Sequence, residues 1–318
     1  MNKKIIKAIL QKKFNEWVNS IKDESTQKLV KKNSIITGGS IVSLLLKEKV
    51  NDFDVYFTNF ETVETVANYY VSEFKRLHEG KNTPVPQVII DESNGTKRVR
   101  IKIQSAGIAG ENTPDNQYQY FESRPLEEGE TYVRETMEGI LSESDGLDGT
   151  KLDEENTSKE SYRPVFLTDN AITLSNQIQL VIRFYGNAEE IHKNYDFVHC
   201  TNYWESESGN LTLHQEALES ILSKELKYVG SLYPLCSFIR TRKFIKAGWN
   251  INAGQMLKIC LQISELKLTD IKVLEDQLTG VDTAYFIQVI NYLKEKKEKD
   301  SDFNIGVPYL ISIIDKMF

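Results

Sequence analysis

Thr37-Gly38-Gly39-Ser40, then eleven residues, then Asp52-Phe53-Asp54 is the stretch on which the reading of this chain turns. Ser34-Ile35-Ile36-Thr37 has the composition of a short strand, the glycine pair breaks it, and Ile41-Val42-Ser43-Leu44-Leu45-Leu46 follows as an apolar helix. Asp52-Phe53-Asp54-Val55-Tyr56-Phe57 then reads as a second strand. Side chains alternate along a strand, so Asp52 and Asp54 project to one side and Phe53 packs on the other. Two neighbouring carboxylates repel unless a cation lies between them. Magnesium, or manganese in its place, suits such a pair, because it takes hard oxygen ligands and joins one or two carboxylates to phosphates. Gly38 and Gly39 permit close backbone approach to an anion, the helix start offers free N–H groups, and Ser40 adds a hydroxyl. Either half alone is more often a plain turn or a solvated strand face. Together, in this order, they make a workable phosphoryl-transfer site.

The flanking sequence continues the α/β pattern. Ile5, Ile6, Ile9, Phe14, Trp17, Val18 and Ile21 recur at helical spacing before the first strand. A helix is expected over 61–77, followed by strands over 85–90 and 99–103 with Asn94-Gly95 as their turn. Further strands are expected at 165–167, 178–184 and 196–200. From 213 onward the pattern is almost wholly helical, with segments near 213–228, 234–247, 253–263, 270–278 and 283–298. The fold class is therefore α+β, with a mixed-sheet catalytic domain over 1–208 and a helical domain over 209–318.

Charge is unevenly spread. The formal net charge is −7, but residues 122–160 hold 13 Asp and Glu against 4 Lys and Arg, a balance of −9 that leaves +2 on the rest. That segment has few large apolar groups and is expected to be a mobile insertion, away from the Asp52 and Asp54 cleft or lidding it. The charge balance thus neither supports nor excludes a nucleic-acid partner. Three cysteines and four histidines show neither a disulfide framework nor a zinc pattern. No apolar run approaches a membrane span and the N-terminus lacks a signal-peptide core, so an intracellular protein with no membrane partner is expected.

The Gly38-Gly39-Ser40 and Asp52-Phe53-Asp54-Val55 pair resembles the signature of the polymerase-β nucleotidyltransferase superfamily, which includes CCA-adding enzymes and poly(A) polymerases. A second stretch, running from Thr168-Asp169-Asn170 through Glu189-Glu190-Ile191 to Tyr195-Asp196-Phe197-Val198-His199-Cys200, is similar to nucleotidyltransferase-like proteins of bacteriophages. The resemblance implies a palm-like fold and transfer of a nucleoside monophosphate from an NTP to an acceptor hydroxyl, with an RNA 3′ end favoured. A tRNA, a protein or a small molecule stays open as acceptor, as does a non-catalytic phage structural or host-interaction role. It further implies a third carboxylate on a neighbouring strand, assigned to Asp196 with Asp169 and Asp91 as rivals, so that Asp52, Asp54 and Asp196 would hold two metal ions.

In the helical region Arg240, Lys243 and Lys246 fall at three-residue spacing, with Phe238, Phe244 and Ile245 able to face a core. That segment is similar to the Arg-rich helix following the catalytic domain of CCA-adding enzymes. The similarity implies that Arg240 and Lys243 bind nucleotide, against the equal alternative of a solvated basic face. His199 and Trp204, with Tyr195 and Tyr203, could stack bases, although packing is the commoner use of such residues.

Overall fold

The computed structural model describes residues 2–77, 79, 85–92, 97–103, 161–270, 273, 274 and 277. The acidic stretch 122–160, the Asn94-Gly95 turn, the helix expected at 283–298 and most of that at 270–278 lie outside these residues. Contacts divide the chain into two units, Met1–His192 with Cys200–His214, and Lys193–His199 with Gln215–Phe318. The first unit thus ends at 214 instead of 208, and a short segment ahead of Cys200 belongs to the second.

The first unit begins with helix α1 (Lys3–Ser20), whose Asn2 side chain caps it by accepting from the Lys4 amide. Its buried stripe is Ile6, Leu10, Phe14, Trp17 and Val18; Ile5 faces solvent. Helix α2 (Glu24–Asn33), capped by Asp23, was not anticipated from the sequence. Strand β1 (Ser34–Thr37), helix α3 (Gly39–Leu46), strand β2 (Phe53–Phe57) and helix α4 (Phe60–Leu77) follow as expected. The α1 and α4 helices are joined by a buried bond from Trp17 Nε1 to Tyr70 Oη, 2.7 Å.

Strands β3 (Pro86–Asp91) and β4 (Arg98–Ile103) form a separate antiparallel pair. The main sheet adds β5 (Pro164–Leu167), β6 (Ala171–Leu174), β7 (Ile178–Tyr185), β8 (Tyr203–Glu205) and β9 (Leu211–Thr212), in the order β5-β6-β7-β2-β1-β8-β9. It is mixed: β2 runs antiparallel to β1 and parallel to β7. Every residue of β1 is buried, as expected of an interior strand in a sheet covered on both faces. Arg100 ties the small sheet to the turn before β6, bonding Asp91 (3.2 Å) and Asp169. Asp91 and Asp169, the rival metal ligands, are thus both engaged by Arg100.

One strand expected from composition does not form. Residues 196–200 make a single isolated bridge, Phe197 to Tyr228, and then a 3₁₀ turn at Val198–Cys200. The bridge partner, Tyr228, belongs to the second unit and not to the main sheet.

In the second unit the described residues form helices α6 (Gln215–Ser223), α7 (Pro234–Lys246) and α8 (Ala253–Ser264). Helix α5 (Ala188–His192) belongs to the first unit. The buried face of α7 is Pro234, Leu235, Cys236, Ser237 and Thr241. Phe238 and Ile245 point instead to solvent, 43% and 49% exposed, which corrects their assignment to a core. No helix among the described residues is long and apolar enough to cross a membrane.

Candidate functional site

The strand-turn-helix unit builds one edge of the site. Gly38 has φ +86° and ψ −148°, a conformation that a side chain disfavours, and it starts α3 without any side-chain cap. Gly39 is exposed, and a Cβ built on it meets nothing within 4 Å. The Ser40 hydroxyl is buried and has no hydrogen-bond partner. The start of α3 therefore carries uncapped amides, an unused hydroxyl and open space above Gly39, which together fit an anionic oxygen.

Asp54 lies on the adjacent strand. Its Cα partners are Thr37 on β1 and Gln179 on β7, so it shares a rung with the residue that enters the glycine turn. Asp52 immediately precedes β2 and is exposed, and Asp54 is half-buried. Asp52 and Asp54 stand at alternating positions, and as hard oxygen donors their carboxylates could hold a magnesium ion.

Two residues that sequence reasoning did not single out, His192 and Asn202, brace this edge. Thr37 Oγ1 lies 2.9 Å from His192 Nε2, 2.9 Å from the Asn202 carbonyl and 3.2 Å from that of Cys200. The Gly38 amide donates to the same Cys200 carbonyl, 3.2 Å. Asn202 is buried and accepts the His214 amide at its Oδ1, 2.8 Å. Burial, helped by the nearby His214, pushes His192 down to about 4, so it is neutral at ordinary pH. Only the three-dimensional contacts, at sequence separations of 155 and 165, reveal these partners.

Asp196 lies in the second unit, at the bend preceding the isolated bridge. Its Oδ2 accepts from Arg240 Nη1 at 2.7 Å, and its carbonyl accepts the Val229 amide at 3.0 Å. The expected strand position is therefore corrected to a bend, and its carboxylate meets a guanidinium. No three His, Cys, Asp or Glu side chains among the described residues converge as a metal site. Lys243 and Lys246 are exposed on α7, while Arg240 is partly covered.

His199 and Trp204 do not form a stacking surface. Trp204 is in the core of the first unit against Phe14, ring centroids 5.1 Å apart. His199 is buried in the second unit among Phe197, Phe244 and Trp249, the last at 4.4 Å.

The family model of the Gabija anti-defense 2 family matches residues 8–224, a span that includes the whole strand-turn-helix unit, Asp52, Asp54 and Asp196. The chain belongs to the Gabija anti-defense 2 family. A relative named Gabija anti-defense 2, from Bacillus phage SPbetaL7, is 27% identical over 132 residues, covering 41% of this chain and 32% of the relative. The match thus spans about a third of that relative's length. Among solved structures, the chain is similar to the Thermotoga maritima CCA-adding enzyme complexed with tRNA, at 10% identity and TM-score 0.39, covering 92% of this chain and 57% of that one. It is similar also to the Bacillus stearothermophilus CCA-adding enzyme in complex with CTP, at 11% identity and TM-score 0.37, covering 87% and 51%. At these scores the likeness is distant. The phage relative agrees with the phage resemblance read from the sequence.

Proposed function

We propose that this Gabija anti-defense 2 family member is a phage nucleotidyltransferase that counteracts the Gabija defence by transferring a nucleoside monophosphate to an acceptor hydroxyl. An RNA 3′ end is the favoured acceptor. The observation that supports this reading most is the shared rung: Asp54 stands across from Thr37, one residue before an uncapped glycine turn whose Ser40 hydroxyl is unused.

In this reading the α3 amides and Ser40 hold the triphosphate, with open space at Gly39 admitting its oxygens. Asp52 and Asp54 would hold magnesium or manganese, which when bound neutralises phosphate charge and lowers the pKa of an acceptor hydroxyl. The acceptor oxygen forms its bond to the α-phosphorus as the bond to pyrophosphate breaks. Asp196, the expected third ligand, accepts from Arg240 within the second unit, so the reading rests on Asp52 and Asp54. On the second unit, the exposed Lys243 supplies positive charge for an acceptor backbone.

A second reading has its own support. Gln179 stands on the strand beside Asp54, and no third carboxylate converges there among the described residues. A nucleotidyltransferase-fold protein that opposes the defence by binding, without turnover, fits that arrangement.

Incubation with each labelled NTP, magnesium and total host RNA and protein distinguishes the two. Label in one fraction that Asp52→Ala and Asp54→Ala both abolish supports the enzyme. Anti-defense activity in cells that survives both substitutions rejects catalysis as its basis.

A further inference from the structure

We infer that His192 is a positioning residue, whose bond to Thr37 fixes the glycine turn in its phosphate-holding shape. The inference rests on the nucleotide site proposed above and adds a residue to it.

Hydrogen-bond inventory assigns the direction of that bond. The Thr37 hydroxyl has one proton and two lone pairs, and three groups surround it. Two of these are backbone carbonyls, which can only accept, so the Thr37 proton goes to the Asn202 and Cys200 side. His192 Nε2 must then carry a proton and donate it to Thr37 Oγ1. Because His192 is held neutral, the Nε2–H tautomer supplies this donor without placing a charge beside the rung of Asp54.

His192 is itself held in place. It is the last residue of α5, and the start of that short helix is locked by a reciprocal pair: Asn187 N to Glu190 Oε2 at 2.8 Å, and Glu190 N to Asn187 Oδ1 at 2.9 Å. Gly186, at φ +136°, delivers the chain into this cap and bonds the Phe57 carbonyl at the far end of β2. A Cβ at Gly186 would come within 2.9 Å of Glu190 Cβ, so a larger residue would push the cap aside. Tyr203, the Cα partner of Thr37 on β8, packs edge-on against the His192 ring at 5.7 Å. Thr37 is wholly buried, and the next residue is Gly38, whose amide shares the Cys200 carbonyl. Losing the His192 donor leaves the Thr37 hydroxyl held only by its own bond to the carbonyls and loosens the entrance of the turn, while the sheet register stays intact.

The test uses the full chain with His192→Phe, which keeps a ring but no donor, His192→Gln, whose amide can donate from a similar place, and Thr37→Val. Two quantities are read: Mg-ATP and Mg-CTP affinity, and amide hydrogen exchange at Gly38, Gly39 and Ser40. His192→Phe and Thr37→Val are expected to weaken nucleotide binding by about tenfold, the loss of one ordinary hydrogen bond, with exchange faster by a similar factor. His192→Gln is expected to stay within about threefold of wild type on both. Wild-type exchange at the turn in both Phe and Val variants overturns the inference, and so does a Gln variant as impaired as Phe. If wild type binds neither nucleotide yet the exchange pattern appears, the nucleotide site falls and the positioning role stands. Should His192→Phe fail to fold, Thr37→Val against Thr37→Ser carries the same comparison.

Discussion

Asp54 and Thr37 are Cα partners across β1 and β2, so a candidate metal ligand and the residue entering the glycine turn are tied to one rung of the sheet. Neither Asp52, which is exposed, nor Asp54, which is half-buried, belongs to the apolar core. Replacing either by Ala is expected to change unfolding free energy by less than about 1 kcal/mol. The same substitutions should cut labelled-nucleotide transfer by about a hundredfold or more, since no neighbouring carboxylate on β7 can substitute. Urea unfolding and transfer assays on both variants check this pair of outcomes; wild-type transfer in either removes the mechanism.

The Asp196–Arg240 bond makes a different prediction for the basic helix. Asp196 is nearly covered and Arg240 is partly so, and removing the guanidinium leaves a carboxylate without its charged donor. Arg240→Ala is expected to cost about 1–2 kcal/mol, a charge-assisted bond discounted for partial exposure. That loss would confound any binding measurement on this variant. Lys243 and Lys246 are exposed, so Lys243→Ala with Lys246→Ala should leave stability unchanged. If both meet an RNA backbone, the slope of log affinity against log salt falls by about 1.4. An unchanged slope reduces α7 to a solvated face.

Much of the first unit was legible because local pattern and tertiary environment agree there. The glycine break between β1 and α3, and the alternation of Asp52, Phe53 and Asp54, follow from backbone freedom and strand periodicity alone. Asp196 was misplaced because Asp196-Phe197-Val198-His199-Cys200 has strand composition, while pairing depends on tertiary neighbours, and Phe197 bridges Tyr228 of the second unit instead of joining the sheet. On α7 the apolar spacing of Phe238 and Ile245 suggested burial. The buried face instead takes Ser237 and Thr241, whose hydroxyls bond the Tyr233 and Ser237 carbonyls within the helix. Polar residues that satisfy themselves locally can occupy a core face, and composition does not reveal it.

Stability should depend on pH through buried histidine. Burial pushes His199 down to about 4, with Asp196 opposing weakly, so the native state holds it neutral while the unfolded chain takes a proton near 6.5. The unfolded state then binds more protons between these values, and stability rises with pH across that window. Urea unfolding is expected to give a constant contribution above about pH 6.5 and a loss as pH falls towards 4. His192 acts in the same direction. His199→Phe, which extends the aromatic cluster of Phe197, Phe244 and Trp249, should flatten the decline between pH 6.5 and 5 without abolishing it. A decline identical to wild type would show that His199 does not hold its proton deficit in the native state.

The two glycines of the turn separate folding from binding. Gly38 adopts φ +86° with ψ −148°, where an L residue is strained, so Gly38→Ala is expected to destabilise the first unit by about 1–3 kcal/mol. Gly39 is the first residue of α3, and a Cβ there meets no protein atom within 4 Å. Gly39→Ala should therefore leave the fold as stable as wild type, or slightly more so, because alanine loses less backbone entropy in a helix. If the space above Gly39 receives phosphate oxygens, the new methyl group occupies it, and Mg-NTP affinity should fall by about tenfold or more, the loss of one or two phosphate hydrogen bonds. The measurement is a pair of urea titrations with nucleotide-binding isotherms on the same preparations. A Gly39→Ala protein that is stable and binds nucleotide as wild type does places the phosphate elsewhere, and the glycine pair is then explained by the geometry of the turn alone.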